Sequence, residues 1–424
     1  MCGIAGIYGL EQVENAKARV EQMNLSQAHR GPDADGIYEA QNVILGHRRL
    51  SIIDLSAESN QPFSSADRRY TLVFNGEVYN YKELKAELND YTFQTTSDTE
   101  VVLAALATWG MEAVRRFNGM FALAFWDDKE EKLWLARDRM GIKPLYIARS
   151  ADSIVFSSEI RSILKSGLIQ PTLNSAHLGE YLRFQTVHAP NTMIKGVHMM
   201  EAGSYMEVSD STAEPVHYWK PWQSEEKNND VASIQKRTRE LLIESVERRM
   251  VSDVPFGAFL SGGIDSSLIV GIIRSELDLP IDTFNVSFDE GQYSEAKYAR
   301  MVAGRFRSNH HEIRLQPSDL LGSLDDAMSS MDHPSGDGPN TWIVSGHTKK
   351  QGISMAISGL GGDELFAGYD VFRSLPNIAE KGWILSFPKE IRNLIGGMNF
   401  QFNKTMRARK MKAILGSDYF NLET

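Results

Sequence analysis

Met1-Cys2-Gly3-Ile4-Ala5-Gly6-Ile7-Tyr8 opens the chain, and its reading decides the fold. Gly3 to Tyr8 is an uncharged run of small, β-branched and aromatic residues. Such a run predicts a buried strand that starts with the first residues, not a solvated tail. Cys2 is the single cysteine in 424 residues. Loss of Met1 would leave it N-terminal, with a thiol and a free α-amine on one residue. A thiol attacks only as thiolate, and a pKa of about 8.5 leaves little of that form at neutral pH. An α-amine titrates at about 7.7–8.0 and can take the thiol proton directly or through one water. Nucleophile and base would then be the same residue.

A chain of this length is too long for one ordinary core and predicts two or three domains. Its 42% hydrophobic and 24% charged residues are those of a soluble globular protein. The net charge of −10 argues against nucleic-acid or anionic-membrane binding, which needs a positive footprint. No apolar run reaches bilayer-spanning length, and no basic stretch precedes an apolar core at the N-terminus. One cysteine excludes an internal disulfide framework and a cysteine-rich zinc site. A reducing, cytoplasmic location is expected.

The first half carries short strand-like runs at Val43–Leu45, Thr71–Phe74, Phe121–Trp126, Lys132–Ala136, Leu145–Ala148 and Ser153–Phe156. Helical patterns interrupt them at Tyr81–Asn89 and Asp98–Trp109, which predicts an α+β domain of layered sheets over residues 1–215. The polar stretch Pro221–Asp230 reads as a linker, within residues 216–230. From residue 231 to 424 the pattern alternates. A helix at Val231–Met250 precedes strand Phe256–Leu260, a glycine loop and a helix at Ser266–Glu276. Strand Ile281–Val286, helix Ser294–Phe306, strand His311–Leu315, helix Ser318–Met331 and strand Ile353–Ile357 follow. That order predicts an α/β doubly wound parallel sheet.

Four polar clusters stand out in the first half: His29-Arg30-Gly31-Pro32-Asp33, His47 to Asp54, Phe74-Asn75-Gly76-Glu77-Val78-Tyr79-Asn80, and Thr96 to Glu100. Singly, each has an ordinary structural reading. Asn75-Gly76 between apolar runs is a hairpin signal, and Asp98 can cap a helix. Together with Cys-Gly-Ile at the start, in this order, they resemble the class II glutamine amidotransferases. The resemblance covers roughly the first two hundred residues and implies an N-terminal-nucleophile hydrolase sandwich. It implies that Cys2 attacks the glutamine amide and that the Asn75 side chain and Gly76 backbone amide form the oxyanion hole. It further implies that Arg49 holds the α-carboxylate, that Glu77 and Asp98 meet the α-ammonium, and that Leu50, Ser51, Ile52 and Ile53 complete the glutamine site. Arg30 and Gly31 shape its wall.

In the second half, Phe259-Leu260-Ser261-Gly262-Gly263-Ile264-Asp265-Ser266-Ser267 follows a strand and opens a helix. Glycines let backbone amides approach an anion, and the helix N-terminus adds its positive dipole end. No lysine follows the glycines, so this is not the kinase or GTPase loop. Ser-Gly-Gly-x-Asp-Ser-Ser resembles the pyrophosphate loop of the ATP pyrophosphatases. A second signature, Ser358-Gly359-Leu360-Gly361-Gly362-Asp363-Glu364-Leu365-Phe366-Ala367-Gly368-Tyr369, strengthens it. The resemblance assigns ATP to Leu260, Ser261, Gly262, Gly263, Asp265, Ser266, Ser267, Val286, Ser358 and Gly359, with Asp265 and Asp363 as Mg²⁺ carboxylates. Asp332, His333 and the segment Ser335–Asn340 would border the acceptor pocket.

A glutaminase half joined to a pyrophosphate-loop half resembles the glutamine-dependent asparagine synthetases. Glutamine, aspartate and ATP are then the implied substrates, and a homodimer is compatible. Two departures bear on this. Leu360 stands where well-studied members carry a glutamate, which gives weight to an alternative in which another carboxylate, such as a sugar acid in polysaccharide assembly, is amidated. The chain also ends at Thr424, soon after the basic stretch Lys404–Lys412, where members of the family usually continue, so the second domain is expected to be incomplete.

Overall fold

A computed structural model describes residues 1–208, 214–221, 230–288, 295–333, 335–379, 387–402, 405 and 409. The chain divides into two compact units, Met1–Ser358 and Gly359–Thr424.

The first unit begins with two six-stranded antiparallel sheets. Strand Gly3–Tyr8 lies inside the first sheet, between Ser153–Ser157 and Val43–Arg49. Its alternation is clear in the packing. Ile4 points between the sheets with Val43, Val73, Ala122 and Trp126, whereas Ala5 and Ile7 face a helical layer with Val20, Met23 and Ile163. The strand is therefore apolar on both faces, which is why its sequence reads as a continuous hydrophobic run. Helices Ala16–Ser26 and Ile160–Lys165 cover that sheet. Helix Asp98–Trp109 covers the second sheet, burying Val101 to Leu106 against Phe74, Phe121 and Phe125. The layers run helix, sheet, sheet, helix.

The same unit contains a four-stranded parallel sheet in the order Asn309–Leu315, Asp282–Phe288, Phe256–Phe259, Met355–Ile357. Helix Ile264–Ser275 connects the third of these to the second and buries Val270, Ile272 and Ile273. The fold class is thus an N-terminal-nucleophile-type antiparallel sandwich followed by a parallel α/β sheet. No described helix is long and apolar enough to cross a membrane. The second unit is helical where described, with helices at Gly362–Phe366, Asp370–Ala379 and Lys389–Phe402.

Three local readings take a definite form in the structure. Asn75-Gly76 is no hairpin turn: both residues sit inside strand Tyr70–Val78, paired with Ala122 and Phe121. A side chain at Gly76 would meet the Met120 carbonyl and the Phe121 backbone at 2.4–2.7 Å, so the glycine answers a close approach between strands. The cap of helix Asp98–Trp109 is Ser97, which accepts the Thr99 N–H, and Asp98 is the first helical residue. Within the segment Ser335–Asn340, Gly338 starts a helix that runs to Lys350. Gly338 and Pro339 read as breakers, yet proline is tolerated in a first turn whose N–H groups are unpaired anyway. Most of the Pro221–Asp230 linker and of Lys404–Lys412 lies outside the described residues.

Candidate active site

Strand Gly3–Tyr8 carries Cys2 to the mouth of a cavity of about 330 Å³. The Cys2 Sγ accepts the Leu50 N–H at 3.4 Å and lies 3.6 Å from the Leu50 carbonyl, to which it donates. The Cys2 carbonyl accepts Arg30 Nε at 2.9 Å. Arg30 is held in turn by Glu159 at 3.1 Å, and Glu159 also bonds His29 at 2.8 Å. Burial raises the Glu159 carboxyl, but His29 and Arg30 outweigh it and hold the group below its ordinary range. Gly31 is required by packing, since a side chain there would strike the Arg48 carbonyl at 2.3 Å.

Of the residues assigned to glutamine, Arg49, Leu50, Ile52, Ile53, Asn75, Gly76, Glu77 and Asp98 line this one cavity with Cys2. Ser51 does not; its N–H goes to Asp33 at 2.8 Å. The Arg49 guanidinium is engaged by the loop beneath it, donating to the carbonyls of Asp54 and Ser56 and to Asn60 Oδ1. It therefore both lines the cavity and fixes the 53–60 loop.

The Asn75 side chain is the outstanding group. It is 1% exposed, and both Oδ1 and Nδ2 lack any hydrogen-bond partner. A buried amide left open in this way loses about 1–3 kcal/mol per unmet group, so its retention beside a thiol points to a ligand that supplies the partner. Two acids share the pocket. Burial pushes the Asp98 carboxyl up to about 7, even though it accepts the Val78 N–H at 3.0 Å. Burial also raises Glu77, opposed by Lys143.

The Asp98 shift has a definite sign for stability. Its folded pKa lies above the unfolded carboxylate value of 3.8, so its contribution is complete below about pH 4 and is lost as pH rises through about 7. Thermal melts of the Asp98→Asn variant should therefore fall less between about pH 4 and 7 than those of the parent. Parallel curves would exclude a raised Asp98.

Sequence reasoning missed Lys143, Gln61, Met120 and Ile142 in the cavity wall, together with Ser354, Met355 and Ala356 from the parallel-sheet half, and gave Ser97 and Thr99 no role beyond their polar cluster. Lys143 had a signal available: a charged run with Gly141 between two apolar strands. Asp138, wholly buried, folds that run by accepting the N–H groups of Met140, Ile142, Lys143 and Phe121.

The other predicted site is local and ordered. Strand Phe256–Phe259 leads through Leu260, 1% exposed, into the glycine loop. Gly262 has φ +88°, and a side chain there would strike Tyr298 and Ala299, so only glycine fits. The Ser261 and Ser266 hydroxyls are 3.0 Å apart, and Ser261 Oγ accepts the Gly263 N–H. Ser267 Oγ is buried without a partner, and Asp265 lies in the first turn of helix Ile264–Ser275. Val286 pairs with Ile313 inside the sheet. Ser358 ends the first unit, while Gly359, the exposed Leu360 and Asp363 belong to the second. Asp332 caps helix Ile160–Lys165, accepting the N–H groups of Ile160 and Arg161 at 2.6 and 2.8 Å.

Comparison with known proteins bears on both halves. The profile of the glutamine amidotransferase domain family matches residues 1–219, and that of asparagine synthase matches residues 237–419. This chain belongs to the glutamine-hydrolysing asparagine synthetase family. "Asparagine synthetase [glutamine-hydrolyzing] 1" of Bacillus subtilis is 37% identical over 385 residues, covering 88% of this chain and 60% of its own length. A relative in Methanocaldococcus jannaschii, provisionally named for the same activity, is 34% identical over 89% of this chain and 79% of its own. "Amidase chry2" of Gibberella zeae is 34% identical, with coverage of 88% and 60%. The chain thus spans about 60% of the length of the Bacillus subtilis family member. Family membership accounts for the pairing of a thiol pocket with a glycine loop on a parallel sheet.

Proposed function

We propose that this chain carries out glutamine-dependent asparagine synthesis: aspartate, ATP, glutamine and water give asparagine, AMP, pyrophosphate and glutamate. The observation that carries the reading is the unpartnered, buried Asn75 amide in the same cavity as Cys2.

With Met1 present, the Cys2 nitrogen is a peptide nitrogen and cannot act as base, so the reading requires the mature N-terminus. The freed α-amine then takes the thiol proton, and sulfur adds to the glutamine side-chain amide. Asn75 Nδ2 and the Gly76 N–H receive the developing oxyanion, in a setting where each donor contributes about 2.7–4 kcal/mol. Ammonia leaves with the proton, and water hydrolyses the thioester to glutamate. Arg49 would meet the substrate α-carboxylate, and Asp98 and Glu77 its α-ammonium. That cation would return both acids to the ionised form they resist when the pocket is empty.

Ser354, Met355 and Ala356 of the parallel-sheet half wall the same cavity, which supports release of ammonia toward that half. A water-poor passage keeps ammonia unprotonated and therefore nucleophilic. In the second step ATP adenylates the aspartate side chain, since a free carboxylate resists ammonia. The glycine loop Ser261–Ser267 with the N-terminus of helix Ile264–Ser275 would hold the pyrophosphate, with Leu260, Val286 and Ser358 of the same unit completing the ATP site.

Mg²⁺ suits the donors. Among the described residues no group of three His, Cys, Asp or Glu could hold a metal alone. A hard ion that binds through one carboxylate plus phosphate oxygens is compatible with Asp265 in the first unit and, taken separately, with Asp363 in the second. When bound it would neutralise phosphate charge. A cytoplasmic homodimer completes the reading.

The test is pyrophosphate release with glutamine, ATP, Mg²⁺ and a panel of carboxylic acids. Aspartate should be the preferred acceptor, with glutamate and pyrophosphate formed together. Leu360 favours a second reading, in which another carboxylic acid is amidated; release with a sugar acid but not aspartate would establish that one instead. Glutamate without pyrophosphate under all acceptors would overturn both.

A further inference from the structure

Lys143 is 6% exposed and reaches the cavity that contains Cys2, Asn75, Gly76 and Glu77. Its backbone is locked on both sides: its N–H donates to Asp138 at 3.0 Å, and its carbonyl accepts Arg137 Nε at 2.8 Å. The ammonium has no ion-pair or hydrogen-bond partner among the described residues. The Lys143 side chain is largely enclosed with its ammonium open to the cavity, and a cation so placed without a direct partner is expensive. We propose that Lys143 is a positioning residue whose charge stabilises the Cys2 thiolate, and that the thiolate, once formed, is the partner the lysine lacks in the resting pocket. The inference rests on the glutaminase reading and adds to it the source of the nucleophile's activation.

The charges around Cys2 favour that assignment. Arg49 from strand Val43–Arg49 is already committed to loop carbonyls. Arg30 is committed to the Cys2 carbonyl and Glu159. Glu77 and Asp98 oppose a thiolate, and the chain-terminal amine is needed as a neutral base. Among the described residues Lys143 is the remaining side-chain cation in the wall. Burial raises the Cys2 thiol, and the terminal ammonium, the Leu50 backbone bond and then Lys143 and Arg49 act against that rise; burial lowers the Lys143 ammonium, and Glu77 and Cys2 act against that fall.

The experiment uses the single thiol of the full-length chain. Alkylation of Cys2 by iodoacetamide is followed by mass spectrometry as a function of pH in the parent and in Lys143→Met, Lys143→Gln and Lys143→Arg. The Met and Gln variants should react about tenfold more slowly at neutral pH, with the midpoint moved up by about one unit. Arg, which keeps the charge, should restore most of the parent profile. A purely structural role would change the melting temperature but not this midpoint. Superimposable profiles in folded parent, Met and Gln chains overturn the proposal while leaving the glutaminase reading intact. Should neither variant fold, a parent midpoint at or above that of free cysteine, about 8.5, overturns it equally. A parent thiol inert at every pH overturns both readings.

Discussion

Replacing Cys2 with alanine is expected to lower glutamine hydrolysis by at least about 10³-fold while leaving ammonia-supplied product formation intact. Both parts of that outcome follow from position. The substitution removes one sulfur atom whose hydrogen bonds among the described residues are those with the Leu50 N–H and carbonyl. The Cβ and the backbone bond from the Cys2 carbonyl to Arg30 remain, so strand Gly3–Tyr8 and its register with Val43–Arg49 should be unaffected. No other thiol exists in the chain to substitute for it. The glycine loop at Ser261–Ser267 is built from separate strands and should still process ATP when ammonia is supplied in solution. Measuring glutamate and pyrophosphate in the same reactions checks the pair. Retention of glutaminase activity would remove Cys2 from the mechanism, whereas loss of both products would mean that the substitution had damaged the fold.

The placement of Cys2 was legible in the sequence because the run Gly3–Tyr8 reads as a strand beginning at the first residues, and it is one. Asn75 and Gly76 were legible as a motif but not as geometry. Two residues that favour a turn lie mid-strand because Gly76 accommodates the backbone at Met120 and Phe121, an effect of tertiary crowding with no local signature. Lys143 was legible only as part of a charged run around Gly141, not as a buried group. Lysine reads as a surface residue in any composition argument, and only the four N–H groups gathered by Asp138 turn it inward. The strand Met355–Ile357 was legible as a strand, but nothing in its sequence says that it walls the thiol cavity. Helix Gly338–Lys350 was lost for a different reason: glycine and proline at its start carry a breaker signal that outweighs a helical stretch with little apolar periodicity.

Asn75→Ala is the more discriminating substitution, because it should separate function from stability. If the amide donates to an oxyanion, its loss should lower kcat for glutamine by about 10²–10³-fold with little change in KM, since the interaction forms as charge develops. A buried polar side chain that supported the fold would instead lower the melting temperature when removed. The orphaned Oδ1 and Nδ2 predict the reverse: alanine relieves two unmet hydrogen-bonding groups, at the expense of a small void, so stability should stay level or rise. Asn75→Asp sharpens the contrast. It preserves shape but replaces the donor with an acceptor that is negatively charged when ionised, in a pocket already containing Glu77 and Asp98. It should therefore be less active than the alanine variant, and its carboxyl should titrate well above the ordinary range. An alanine variant that is less stable yet fully active would assign Asn75 to the fold, and the oxyanion would then require another donor.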